Sequence, residues 1–125
     1  MDSHLMESLG VALAAGRAIV VLYVGWSIYP RRAIATLKSA IPQLEPLGIT
    51  FAVIDEEASD VTAWLSEHGP EFLRGDVPQG WGSLFWLEGG FVVDFEFRGS
   101  NLTLYELLVR TRNRWTSTEP AAPSR

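Results

Sequence analysis

Ala18-Ile19-Val20-Val21-Leu22-Tyr23-Val24-Gly25-Trp26-Ser27-Ile28-Tyr29-Pro30 is the stretch on which the reading of this chain turns. Its first part is a continuous apolar run rich in β-branched residues, without the alternation of a half-exposed strand, and it therefore reads as a central strand buried on both faces. Gly25 ends the run. Pro30, whose fixed φ suits the start of a helix, opens a helix directed toward Leu47. A buried strand that passes through a short turn into a helix predicts an α/β architecture.

Working outward, Leu5, Leu9, Ala12 and Leu13 recur at helical spacing before Gly16, which predicts a first helix from Leu5 to Ala15 after frayed residues 1–4. Pro42 and Pro46 each remove a backbone donor, so the second helix is expected to kink or end near Ala40. Ile49 to Asp55 reads as a second strand, and Ser59 or Asp60 as the cap of a short helix that Gly69-Pro70 stops. This βαβ order implies parallel pairing with a right-handed crossover. Pro70 to Gly80 is a loop. Ser83 to Leu87, Gly89-Gly90 and Phe91 to Phe97 then form a hairpin, with Phe91, Val93, Phe95 and Phe97 on one side and Val92, Asp94 and Glu96 on the other. Thr103-x-x-Glu106 fits a capping box, with Leu102 and Leu107 as its hydrophobic staple. A single domain over 1–115 and a disordered tail over 116–125 follow. Val20, Leu22, Val24, Phe51, Val53, Phe85, Phe95 and Leu108 are the expected core, with Trp64 and Trp86 in or beside it and Val92 outside.

The chain has 125 residues, 47% of them hydrophobic, enough for one ordinary core. A net charge of −5, with Lys38 as the only lysine, leaves no electrostatic footprint for nucleic acid or an anionic membrane. There is no cysteine, which excludes a disulfide framework and a zinc–thiolate site. His4 and His68 are too isolated to suggest a metal cluster, and neither metal nor cofactor is expected. The longest apolar run, Ala18 to Trp26, falls far short of the roughly 20 residues of a membrane helix. Asp2, Glu7 and Arg17 are the wrong residues for a secretory leader, so a cytoplasmic location is expected.

The predicted order α-β-α-β-α-β-β-α, with a parallel pair, a hairpin and a terminal helix around a mixed four-stranded sheet, resembles the thioredoxin-like superfamily over Leu5 to Trp115. Ala18 to Trp26 is similar to the strand that leads into the family's Trp-Cys-Gly-Pro-Cys turn. Trp26 keeps the tryptophan, Asp55 closes the second strand as the family's acidic residue does, and Gly89-Gly90 and Gly99 to Thr103 match the hairpin and the approach to the last helix. The resemblance implies the fold; it also implies that the redox chemistry is gone. The first cysteine position falls on Ser27 and the second on Pro30. The buried aspartate falls on Val21 and the cis-proline on Gly82, with Val77-Pro78 as an alternative match for the latter. Thiol–disulfide exchange needs a thiolate, and a serine hydroxyl is far too weak an acid to replace it. Four departures together read as natural divergence rather than as one engineered substitution.

The degenerate turn Trp26, Ser27, Ile28, Tyr29, Pro30 therefore carries no catalytic residue, and the chain reads as a non-enzyme, because no reaction can be built on these groups. Trp26, Tyr29 and Trp81 would converge on the face where a thioredoxin docks its substrates, beside Gly82 and rimmed by Arg31 and Arg32 in the first helical turn. Exposed aromatics of this kind favour protein association. The leading expectation is a redox-inactive module that binds a protein or extended peptide in a chaperone or assembly role. Two alternatives stand beside it. One is an enzyme similar to serine-type glutathione transferases, with Ser27 holding a thiol ligand; the other is a structural subunit of a homodimer or larger complex. Asp55, Glu56 and Glu57 read as a solvated strand end. Ser27 with either histidine makes no hydrolase triad, since no Gly-x-Ser-x-Gly elbow surrounds it.

Overall fold

The computed structural model describes residues 5–73 and 79–116. Five strands form one sheet: β1 (Leu5–Met6), β2 (Arg17–Tyr23), β3 (Thr50–Asp55), β4 (Leu84–Glu88) and β5 (Phe91–Glu96), in the spatial order β1-β3-β2-β4-β5. The four-stranded mixed core is as the sequence predicts, with β2 parallel to β3 and antiparallel to β4. The first helix differs. Leu5 and Met6 pair with Phe51 and Ala52 as a short parallel edge strand, and helix α1 (Leu9–Ala14) begins only after Ser8, whose hydroxyl accepts the Val11 N–H. A capping serine outcompetes one more helical turn at that point.

β2 is the buried centre. Ile19 and Val21 face a layer made by α2 (Tyr29–Leu44) and α4 (Leu104–Arg114), together with Phe51, Leu84 and Trp86. Ala18, Val20 and Leu22 face the other layer, where Leu9 and Ala12 of α1 and Val61 and Trp64 of α3 (Ser59–Leu73) pack on Phe85 and Ile54. The strand is apolar throughout because both faces are covered. Trp64 meets Phe85 edge-on, with ring centroids 5.7 Å apart. The expected core thus divides between two layers, with Val53 and Phe95 half-buried at their margins.

Two helices outlast their prolines. α2 runs through Pro42 to Leu44 and a 3₁₀ turn (Glu45–Leu47) follows, so the expected break near Ala40 is absent. A proline forfeits one hydrogen bond, whereas Ala40, Ile41 and Leu44 remain buried against the sheet and hold the last turn in place. α3 likewise continues past Gly69-Pro70 to Leu73. The hairpin also departs from strict alternation. Register steps from Trp86 opposite Asp94 to Leu87 opposite Val92, leaving Val93 as the extra residue of a bulge. Val92 consequently joins the layer of Phe95 and Phe97 while Val93 packs on the opposite one, and Phe91 is left 72% exposed.

The capping box is formed: the Thr103 hydroxyl accepts the Glu106 N–H (3.1 Å) and the Glu106 carboxylate accepts the Thr103 N–H (2.9 Å). α4 is then clamped to β5 by Arg110. Its guanidinium lies 4.8 Å from the centre of the Trp86 ring, pairs with Asp94 (2.9 Å) and Glu96 (3.0 Å), and donates to the Phe95 carbonyl. Burial would raise the Asp94 carboxyl, but the hydrogen bonds and charge of Arg110 outweigh it and hold that carboxyl below its ordinary value. Trp115, which closes this layer, is buried as well. No helix among the described residues is long and apolar enough to cross a membrane. The expected disordered tail lies outside the described residues, apart from Thr116 at its start.

Leu22→Ala is expected to destabilise the protein by about 2–5 kcal/mol, and Phe91→Ala by less than about 0.5 kcal/mol, read as shifts in the urea midpoint. Pro42→Ala, at an exposed site inside α2, should move the midpoint upward by about 1–3 kcal/mol.

Candidate functional site

Three segments meet at the carboxyl end of β2: the turn 24–30, the segment 79–83 that enters β4, and the 3₁₀ turn Gly99–Asn101 that precedes α4. Gly82 is the joint between them. Its φ of +71° is closed to ordinary L-residues, and a Cβ there would sit 2.9 Å from the Pro30 Cα and 3.0 Å from the Tyr29 carbonyl. A Cβ on Gly99 would in turn run into the Gly82 carbonyl oxygen. Gly82 therefore faces the start of α2, at the place assigned to the family's cis-proline. Proline, locked near φ −65°, could not adopt this backbone. No peptide bond among the described residues is cis, and Pro78 lies outside them.

Ser27 is a fastener. Its hydroxyl donates to the Gly80 carbonyl (2.5 Å) and accepts the Tyr29 N–H (3.3 Å), so both its capacities are used within the protein. Among the described residues no basic side chain hydrogen-bonds to it, and its single donor is already given to Gly80. Gly80, with φ +77°, is held from two further sides. Its N–H donates to Glu56 Oε1 (3.0 Å), and the Trp26 ring lies so close that a Cβ would stand 2.5 Å from it.

Glu56 is a residue that the sequence reading places wrongly. It is not part of a solvated strand end but is 7% exposed, tucked under the 79–83 segment, while Asp55 accepts the Glu57 N–H (2.8 Å) and Glu57 accepts the Trp26 indole N–H (3.4 Å). Burial pushes the Glu56 carboxyl above its ordinary value, the Gly80 N–H opposes this, and the charges of Glu57 and Asp55 reinforce it. The only sequence signal for this is indirect: a Gly-x-Gly segment, Gly80-Trp81-Gly82, whose backbone needs an acceptor. Among the described residues no group of three metal-ligating side chains is placed to hold an ion. His4 lies outside those residues, and the His68 side chain is not described.

The predicted face is brought together only in part. Trp26 (64% exposed), Ile28 (55%) and Tyr29 (47%) project from the turn, and these are half of the large exposed hydrophobic residues described. Trp26 lies toward Glu57 and Gly80. Tyr29 and half-buried Trp81 instead line a cleft of about 320 Å³ with Arg98, Ser100 and Asn101. Arg31 and Arg32 are both exposed, and Arg32 lies 6.0 Å from the Tyr29 ring centre. Arg98, which the sequence reading does not single out, lies 4.6 Å from the Trp81 ring centre. The face is thus bipolar, carboxylates beside Trp26 and guanidiniums beside Tyr29 and Trp81.

The backbone decides the fold. This chain has the thioredoxin fold. It superposes on oxidised thioredoxin O2 of Arabidopsis thaliana with a TM-score of 0.65 at 10% identity, covering 92% of this chain and 97% of that one. A putative oxidoreductase with a thioredoxin fold gives 0.61 at 9% identity (86% and 94% covered), and thioredoxin f2 of Chlamydomonas reinhardtii 0.54 at 9% (88% and 94%). No protein-family model and no curated protein matches the sequence. Identities this low carry the thioredoxin fold and nothing of the redox chemistry, for which this chain has no cysteine.

Because the folded state raises the Glu56 pKa, the folded protein keeps a proton that the unfolded chain has lost above pH 4.5. Stability should therefore fall as pH rises from 4.5 through the elevated pKa. Glu56→Gln, which retains an acceptor for Gly80, is expected to flatten that part of the pH–stability profile and to be more stable than wild type at pH 7. An unchanged profile in chemical denaturation would contradict it.

Proposed function

We propose that this protein is a non-catalytic thioredoxin-fold module that binds an extended segment of another protein, in a chaperone or assembly role, on the face around the degenerate turn. The observation that carries this reading is the grouping of Trp26, Ile28 and Tyr29, all exposed within one turn, beside a cleft that Tyr29 shares with Trp81. An exposed tryptophan and tyrosine next to a concavity are the residue types that dominate binding energy at protein interfaces. Ser27, Gly80 and Glu56 hold the turn in one arrangement, which lowers the ordering cost of binding. A net charge of −5 favours a protein partner over nucleic acid or membrane, and a cytoplasmic setting is part of the reading.

A phage-displayed random peptide library panned against the protein tests the proposal. Enriched peptides are expected to bind wild type and to lose about tenfold or more in affinity for a Trp26→Ala, Tyr29→Ala variant whose circular dichroism is unchanged. Peptides that bind both proteins equally would place the interaction surface elsewhere. Self-association of the free protein that the double substitution abolishes would instead favour a homodimer built on the same face.

A further inference from the structure

Arg110 and Arg98 present the same device in two states of completion. The Arg110 guanidinium lies over Trp86, and the donor edges of its fork are filled by Asp94, Glu96 and the Phe95 carbonyl. The Arg98 guanidinium lies over Trp81 at a closer ring distance, 4.6 Å against 4.8 Å. Among the described residues, however, no carboxylate pairs with it, and its own backbone N–H is what Glu96 accepts. A guanidinium lying over an aromatic ring keeps its in-plane N–H donors free for a bidentate acceptor. Arg98 lines a cleft with Tyr29, Trp81, Ser100 and Asn101, and none of these described lining residues is acidic.

We infer that the Tyr29–Trp81–Arg98 cleft is a carboxylate subsite, which seats an aspartate or glutamate side chain of the extended peptide bound at the degenerate turn. This rests on the peptide-binding reading above and specifies its partner: an acidic segment. Arg98 supplies the bidentate fork, Ser100 and Asn101 line the same cleft and carry further donors, and Tyr29 and Trp81 cover the aliphatic stem of the incoming side chain. Arg32, over Tyr29, extends the positive field along the same side. Glu57 and Asp55 at the Trp26 end repel acidic residues there, so the face also sets the direction in which a segment with its charge at one end can lie.

The test uses the peptides enriched by panning, resynthesised with Glu, Gln or Lys at the position where acidic residues accumulate. The Glu peptide is expected to bind about tenfold or more tightly than the Gln peptide, and the Lys peptide more weakly still. Arg98→Gln, at an exposed position, should erase the preference for the Glu peptide over the Gln peptide. Arg98→Lys should restore only part of it, since the ammonium lacks the planar fork. Enriched peptides that depend on Trp26 and Tyr29 but show no acidic preference, or keep their Glu-over-Gln preference in Arg98→Gln, overturn the carboxylate subsite and leave the peptide-binding reading standing. A library that yields no binder dependent on the turn overturns both.

Discussion

Burial of β2 on both faces is the constraint from which the remaining structure follows. A strand with no exposed side chain between Ala18 and Leu22 requires a neighbour on each edge and a helical layer on each face. The two layers satisfy this with unlike chemistry. The α1 and α3 layer is closed by apolar side chains, among them Trp64, whereas the α2 and α4 layer also contains the buried Trp86–Thr111 hydrogen bond (3.0 Å) and the Arg110 clamp at its border. Such directional contacts fix one arrangement of α4 on the sheet where apolar packing alone would tolerate several. The turn at the end of β2 inherits its position from this frame.

At the turn that follows β2 the chain is fastened to itself. In place of two sulfurs, the chain has a serine hydroxyl bonded to a backbone carbonyl, a proline in the first helical turn and a glycine at positive φ packed against it. Each substitution suits the others. Gly82 allows the 79–83 segment to approach Tyr29 and Pro30 closely, Gly80 lies within reach of Ser27, and the Gly80 N–H, outside the strand ladder, is taken up by Glu56. A buried carboxyl at this position is tolerated with that donor, and its pKa stays above the ordinary value because burial, reinforced by the charges of Glu57 and Asp55, outweighs one backbone N–H.

The four strands of the mixed core, the hairpin and the capping box of α4 were legible in the sequence because local pattern and global burial agree there, whereas the edge strand Leu5–Met6 was read as helix. Legibility failed where a tertiary contact overruled a local signal. Pro42 and Pro70 are local breakers whose single lost hydrogen bond is smaller than the burial of the helix around Pro42, and Val93 forms a bulge that period-two reading cannot register. At the candidate site, Trp26, Tyr29 and Trp81 were legible as aromatics flanking the turn. Glu56 and Arg98 were not, because the partners that define them, Gly80 and Trp81, lie far from them in sequence.

Trp26 and Trp81 therefore belong to two different local environments on one face. The Trp26 indole donates to Glu57 and lies over Gly80, which places an apolar ring beside negative charge. Trp81 is half-buried under a guanidinium that carries its charge to the cleft. A flat aromatic patch alone would bind apolar segments in any orientation; separating the charges across it makes the two directions unequal in energy. The chain has no cysteine, and at the turn it presents a polarised surface on which the proposed discrimination between peptides would rest on shape and charge placement.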